Sequence, residues 1–115
     1  MHMRQSEVLE FFIDKFPNAE SINFFYFPTD ISKSVRHGLG FCFINFETPE
    51  DAAAFRRFFS DRFPLTFSKA AVQGLEENIS NVRRTPTVRR IKNPDYMPLV
   101  RVDNRFVPVA SLQLP

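Results

Sequence analysis

Apolar residues recur at helical spacing in two stretches of the chain. In the first stretch they are Val8, Leu9, Phe12, Ile13 and Phe16. This spacing places them on one helix face, with Ser6 as a candidate cap and Pro17 as the end of the pattern. The second stretch begins at Thr48, where a capping side chain precedes Pro49 and two acidic residues, as a helix N-terminus favours. The pattern therefore predicts two amphipathic helices with phenylalanine-rich faces.

Short aromatic runs between and after these helices predict strands. The two stronger runs are SINFFYFPTD at residues 21–30 and LGFCFINFE at 39–47. LTFSKAAV at residues 65–72 is a third and weaker candidate. The polar run ISKSVRHG at 31–38 separates the first two and is expected to be a loop.

Towards the C-terminus the pattern predicts a third helix and a small hairpin. Leu75, Ile79 and Val82 are in line within LEENISNVRR, residues 75–84. LVRVDNRFVPVASL, residues 99–112, could form a hairpin that turns at Asp103-Asn104, with Pro108 confining its second limb to a sheet edge.

The order of these elements predicts an α+β fold, in which a small antiparallel sheet packs on two helices. We expect one folded domain over residues 1–84, which includes the C-terminal helix, followed by a basic, proline-containing tail over residues 85–115. Such a size allows one modest core.

Charge is distributed unevenly along the chain. The net charge is +2, yet residues 83–115 hold 7 Lys or Arg against 2 Asp or Glu, whereas residues 1–82 are net acidic. Arg83, Arg84, Arg89, Arg90 and Lys92 form the densest cluster. A basic segment of this kind suits a polyanion such as nucleic acid. A nuclear import signal, or a solvated tail without a partner, would have the same composition.

The run from Phe41 to Phe46 carries the most specific pattern. Successive side chains of a strand point to opposite faces. Phe41, Phe43 and Asn45 therefore share one face, and the other face, with Cys42 and its alternate neighbours, is the candidate core side. Two rings would then be open to solvent or to a ligand that stacks on them.

Other classes of function find little support in the residues. His2 and His37 have no second ligand at metal spacing, and the chain has three glycines and no phosphate-binding loop. Cys42 has no plausible base partner and, as the single cysteine, cannot form an internal disulfide. We expect no enzyme activity, cofactor, metal or membrane span, and an intracellular protein of the nucleus or cytoplasm.

Residues 39–46, LGFCFINF, resemble the signature of the RNA-recognition motif. Leu39 replaces a basic residue of that signature, and Cys42 replaces a small one. The resemblance implies a ferredoxin-like sandwich that binds single-stranded RNA and places Phe41 and Phe43 as the rings that stack on bases. Asn45 follows them on the same face.

Four segments in order are most similar to the C-terminal RNA-recognition motif of the Mei-two-like meiotic RNA-binding proteins. These segments are NFFYFPTD, GFCFINFETPEDAAAF, VQGLEENI and DYMPLV, and the resemblance covers roughly residues 6–100. It implies further RNA contacts from Tyr26 and Phe24 on the neighbouring strand and from Lys69, although Lys69 could equally be a solvated lysine. Arg83 and Arg84 are candidates for contacts to phosphate.

The chain departs from the motif at its start, because the motif opens with a central strand and this sequence opens with a helix. The resemblance therefore predicts a vacant strand position between residues 39–46 and residues 65–72. Either a second copy of the chain or part of residues 99–110 could fill it. Self-association is slightly favoured, because Pro108 cannot donate a hydrogen bond and Arg101 and Arg105 would approach the sheet.

Two alternatives to RNA binding follow from the same residues. The helix at 75–84 could cover Phe41 and Phe43, which would make them ordinary core residues. The domain could also be a degenerate RNA-recognition motif that acts as a protein-interaction or dimerisation module. Open rings beside basic residues would favour RNA, and rings covered by residues 75–84 would favour a protein partner.

Overall fold

The computed structural model describes residues 4–29 and 40–112. Within them the helices are α1 (Gln5–Lys15), α2 (Pro49–Arg62), α3 (Leu75–Arg84) and the short α4 (Pro86–Arg89). The strands are β1 (Ile22–Tyr26), β2 (Phe43–Phe46), β3 (Leu99–Val102) and β4 (Arg105–Pro108). They form one antiparallel sheet in the order β2-β1-β3-β4. The predicted α+β class with a small antiparallel sheet is confirmed.

Local sequence explains how α1 and α2 begin. At α2 the Thr48 hydroxyl accepts a hydrogen bond from the backbone N–H of Asp51, at 3.1 Å, and Pro49 is the first helical residue. At α1 the predicted cap, Ser6, is wrong. The helix already starts at Gln5, and the carboxylate of Glu7 accepts the backbone N–H of Arg4 at 2.8 Å.

One face of the sheet packs on α1 and α2 through a core made largely of phenylalanine. Its fully or nearly fully buried members are Leu9, Phe12, Phe16, Ile22, Phe25, Phe55 and Phe59. The rings of Phe12 and Phe59 meet edge to face with centroids 5.1 Å apart, a favourable geometry for aromatic pairs. The predicted apolar faces of both helices therefore meet in this core.

The opposite face of the sheet is covered in part by α3, α4 and the chain that follows them. Phe24 of β1 and Val100 of β3 are register partners and are buried together with Val82 of α3 and Val88 of α4. This second core joins the C-terminal segment to the rest of the fold. Residues 85–112 are therefore part of the folded domain, where a separate tail was expected.

The predicted hairpin is confirmed, and its turn lies at Asp103 and Asn104. Both residues have positive φ, 51° and 65°, as a two-residue turn of the primed type requires. Four residue pairs join β3 to β4, from Leu99↔Pro108 to Val102↔Arg105. Asp and Asn are among the few residues that tolerate this conformation, so the sequence specifies the turn.

The predicted third strand at residues 65–72 is wrong, because that segment is irregular. β3 pairs instead with β1, on the side away from β2. The hairpin therefore does not fill the vacant position predicted beyond residues 39–46.

The position beside β1 accommodates the two features that argued against placing the hairpin in the vacant position. The guanidinium of Arg101 donates to the carbonyls of Ile22, at 2.7 Å, and Ala19, at 2.9 Å. Pro108 lies on the outermost strand, where it has one strand neighbour.

Candidate nucleic-acid interface

Phe41 and Phe43 form an exposed pair of rings at the start of β2, which we call the aromatic platform. Their side chains are 49% and 41% exposed, and their ring centroids lie 5.6 Å apart at an interplanar angle of 86°. Because the two rings are nearly perpendicular, they cannot both stack on bases that are parallel to each other. Two bases that stack on them would lie at a steep angle to one another. The predicted exposure of these rings is confirmed.

Alternation along β2 positions the platform. Ile44 and Phe46 point to the phenylalanine core, and Cys42 packs against the same core. Burial raises the pKa of the Cys42 thiol to about 12. The thiol therefore stays protonated and unreactive at neutral pH, and it behaves as a small core side chain.

Phe24 and Tyr26 lie on the same sheet face as the platform, but their surroundings differ. Tyr26 is the register partner of Phe43 and is half-buried, whereas Phe24 is 1% exposed. Val82 of α3 and Val88 of α4 belong to the cluster that covers Phe24. The assignment of Phe24 as a stacking residue therefore needs correction, since its ring has no surface to offer a base in this arrangement.

Asn45 connects β2 to its neighbours and does not project freely from the platform. Its Nδ2 donates to the Oδ1 of Asn23, at 2.8 Å, and to the carbonyl of Phe46, at 3.2 Å. Its Oδ1 accepts the backbone N–H of Gly74, at 3.2 Å, the residue just before α3. Asn45 thus fixes the start of α3 beside the platform.

The predicted basic residues divide into exposed and engaged groups. Lys69 is exposed on the irregular segment after α2, and Arg84 is exposed on α3, where it donates to the hydroxyl of Ser80 at 2.8 Å. Arg83 is half-buried, and its guanidinium donates to the carbonyl of Leu112 at 3.0 Å. Arg83 therefore ties α3 to the C-terminal segment, which weakens its assignment as a phosphate contact.

A groove of about 1480 Å³, which we call the edge groove, runs beside β2. Residues 40–49 of β2 and its flanks line it, as do residues 63–70 and 72–74 of the irregular segment. Its remaining lining comes from α1, α2 and the end of β1, and includes Phe12, Phe27 and Phe55. The edge groove therefore borders the phenylalanine core, although Phe12 and Phe55 themselves are buried.

Sequence reasoning did not identify the edge groove as a site, although it predicted a vacant strand position on this side of β2. The anchoring role of Asn45 was also missed, because its partners Asn23 and Gly74 are distant in sequence and carry no local signal. The assignments that concern His2, residues 31–38 and Leu39 lie outside the described residues.

Searches for metal sites and membrane spans give two negative findings. Over residues 4–29 and 40–112, no three His, Cys, Asp or Glu side chains gather to hold a metal ion. The helices of this part of the chain are all too short or too polar to cross a membrane.

Comparisons with known proteins identify no relative. No family model, curated protein or solved structure matches the chain.

Proposed function

We propose that this chain is a single-stranded RNA-binding domain of the RNA-recognition-motif type, similar to the motif of the Mei-two-like proteins. In this proposal bases stack on Phe41 and Phe43 of the aromatic platform. The observation that carries it is the exposure of these two rings at the positions that match the motif's stacking residues. Stacking on an aromatic ring contributes about 1–3 kcal/mol per base.

Exposed cations support the proposal by supplying contacts to phosphate. Lys69 lines the same groove as both platform rings. Arg84, Arg89, Arg90 and Lys92 are exposed on α3 and the segment after it. Contacts of this kind position the strand and add affinity without reading its sequence. We expect nuclear or cytoplasmic RNA as the partner.

The cover over Phe24 limits the footprint of the bound RNA. The open part of this sheet face is the platform, and Asn45 holds the start of α3 beside it. We therefore expect the sheet to stack about two bases, with affinity that depends strongly on the cations and falls with salt.

The test is a titration of fluorescently labelled single-stranded RNA, followed by anisotropy, with the double variant Phe41→Ala and Phe43→Ala. We expect its affinity to fall at least about tenfold. Val102→Ala is the matched control, since Val102 is another exposed apolar side chain, 39% exposed, on the distant hairpin. Equal affinity for the folded double variant and the wild type would exclude the proposal.

A second candidate function is a protein-interaction module built on the same fold. Burial of Phe24 under α3 favours it, because part of the sheet face is closed to bases. The same titration separates the two functions. A folded wild-type domain with no measurable RNA affinity at low salt would leave the interaction module.

A further inference from the structure

Within residues 4–29 and 40–112, the outer edge of β2 and the segment opposite it have no backbone partner. Among the described residues, β2 is the first strand of the sheet and has β1 as its one neighbour. Across the edge groove, residues 66–73 make no backbone-to-backbone hydrogen bond with the described part of the chain. Backbone N–H and C=O groups that line an apolar groove need partners, and an extended peptide supplies them on both sides.

The floor of the edge groove is apolar and aromatic. Ile44, Phe46 and Phe67 are half-buried and pack against the phenylalanine core, and all three also line the groove. A strand in the groove would place every second side chain against these residues, as alternation in a strand requires. Apolar side chains at alternate positions would therefore complete the core.

The volume of the groove indicates the class of occupant. Small-molecule sites typically measure about 300–1,000 Å³, whereas this groove measures about 1480 Å³. Three charged residues line it, the anion Glu47 and the cations Arg56 and Lys69, and all three are exposed. A polypeptide with a carboxylate beside its apolar residues fits both the size and the charge.

We propose that the edge groove binds an extended segment of another protein, which adds to β2 as a strand. The segment has apolar side chains at alternate positions and an acidic residue that faces Lys69 or Arg56. A second copy of this chain is a poorer occupant, because the outer edge of its β2 lines its own groove and faces residues 66–73 of that copy. Its other outer strand, β4, carries Arg105 and ends at Pro108, which cannot donate to a ladder.

The inference does not rest on the proposed RNA function. The two proposals share part of one surface, because Phe41, Phe43 and Lys69 also line the edge groove. Peptide binding depends on pairing with the edge of β2, whereas RNA binding depends on stacking on the exposed rings. Either could fail while the other holds.

The experiment uses a pool of synthetic peptides of about eight residues, a common strand length. Val, Ile, Leu or Phe occupies alternate positions, and one terminal residue is Glu. Binding is followed by the backbone amide signals of the full chain in nuclear magnetic resonance. We expect the signals of residues 43–47 and 66–73 to shift and their hydrogen exchange to slow. The same peptides with a central proline should not bind, because a ladder hydrogen bond is lost.

Two exposed apolar residues, one in the groove and one outside it, provide a test variant and its matched control. Leu65 lines the edge groove and is 41% exposed, whereas Val102 is 39% exposed and does not line it. Leu65→Asp should weaken the affinity for peptide about tenfold, because it removes the apolar contact of one leucine side chain. Val102→Asp should leave the affinity unchanged. Lys69→Glu should weaken binding of peptides with Glu and favour the same peptides with Lys.

Several results would overturn the proposal. They are no binding by any peptide of the pool, equal binding of the proline peptides, and equal effects of the Leu65→Asp and Val102→Asp substitutions. If the amides of residues 43–47 became more protected from hydrogen exchange as the protein concentration rises, without any peptide, the groove would be assigned to a second copy. Protection of the same amides by single-stranded RNA, with no peptide bound, would assign it to nucleic acid.

Discussion

The two ends of the sheet differ sharply in how they are covered, although both are rich in aromatic and apolar residues. At the closed end, β1 and β3 have helices on both faces, and Phe24 is 1% exposed. At the open end, β2 packs on α2 with one face only, and Phe43 is 41% exposed. Phe24 and Asn45 are register partners, so the boundary between the two ends runs between adjacent strands.

This difference shows that a position on a strand does not by itself determine whether an aromatic side chain is buried or exposed. Phe24 and Phe43 lie on the same sheet face and are the same residue type. What separates them is the path of the chain after α2, which places α3 over β1 and leaves the platform uncovered. An exposed ring is therefore informative only when the neighbouring elements are known.

The largest difference in stability between the two ends should appear when one phenylalanine ring at each end is replaced by alanine. We expect Phe24→Ala to lower the free energy of unfolding by about 3–5 kcal/mol, as for a buried phenylalanine. Phe41→Ala should lower it by about 0.5 kcal/mol, as for a surface position. Urea denaturation followed by circular dichroism measures both values. Equal losses for the two variants would mean that the closed and open ends are not distinct in solution.

A smaller effect should come from Cys42, whose core-facing thiol lies at the open end. Its pKa is raised from 9.0 to about 12 because burial disfavours the thiolate. The folded state therefore keeps a proton that the unfolded chain releases above pH 9.0, and stability present below that pH is lost as the pH rises towards 12.

At one pH unit above 9.0, we expect ionisation of Cys42 in the unfolded chain to lower the free energy of unfolding by about 1.4 kcal/mol. Urea denaturation on both sides of pH 9.0 should show this decline in the wild type and a weaker decline in Cys42→Ala. The same pH dependence in both proteins would show that the groove side of β2 is open to water at the thiol.

The smallest effect concerns the boundary itself, where Asn45 holds the start of α3. Asn45→Ala removes the hydrogen bonds to Asn23 and Gly74 and should cost about 1 kcal/mol in free energy of unfolding. Hydrogen exchange of the first turn of α3 should become faster. Gln73→Ala is the control, because Gln73 is exposed and donates only to the nearby carbonyl of Ala70 among the described residues. A change at α3 in both variants would contradict a specific role for Asn45.

Local chemistry made part of the fold predictable. Thr48 and Pro49 specified the start of α2, and Asp103 and Asn104 specified the hairpin turn, because each acts within a few residues. The prediction of a strand at residues 65–72 was wrong, because alternation of side chains alone does not provide a pairing partner. Where β3 pairs depends on contacts such as that of Arg101 with Ala19, which no local pattern encodes.

The candidate site was predictable to a similar degree. Alternation placed Phe41 and Phe43 on one face and Cys42 on the other, as the structure has them. Whether α3 would cover the rings stayed open in the sequence, because an amphipathic helix does not indicate which part of a sheet it covers. The answer differs between Phe24 and the platform, and it depends on the anchoring of Gly74 by Asn45.

The pairing of β1 with β3 has a consequence for synthesis on the ribosome. Arg101 reaches the carbonyl of Ala19 across 82 positions of the chain, and Gln5 reaches that of Met97 across 92. At about 5–20 residues per second, β1 emerges several seconds before the strand that completes the sheet beside it. During that interval one edge of β1 and the ring of Phe24 lack the partners that cover them in the folded domain, so both are open to non-native contacts until the hairpin arrives.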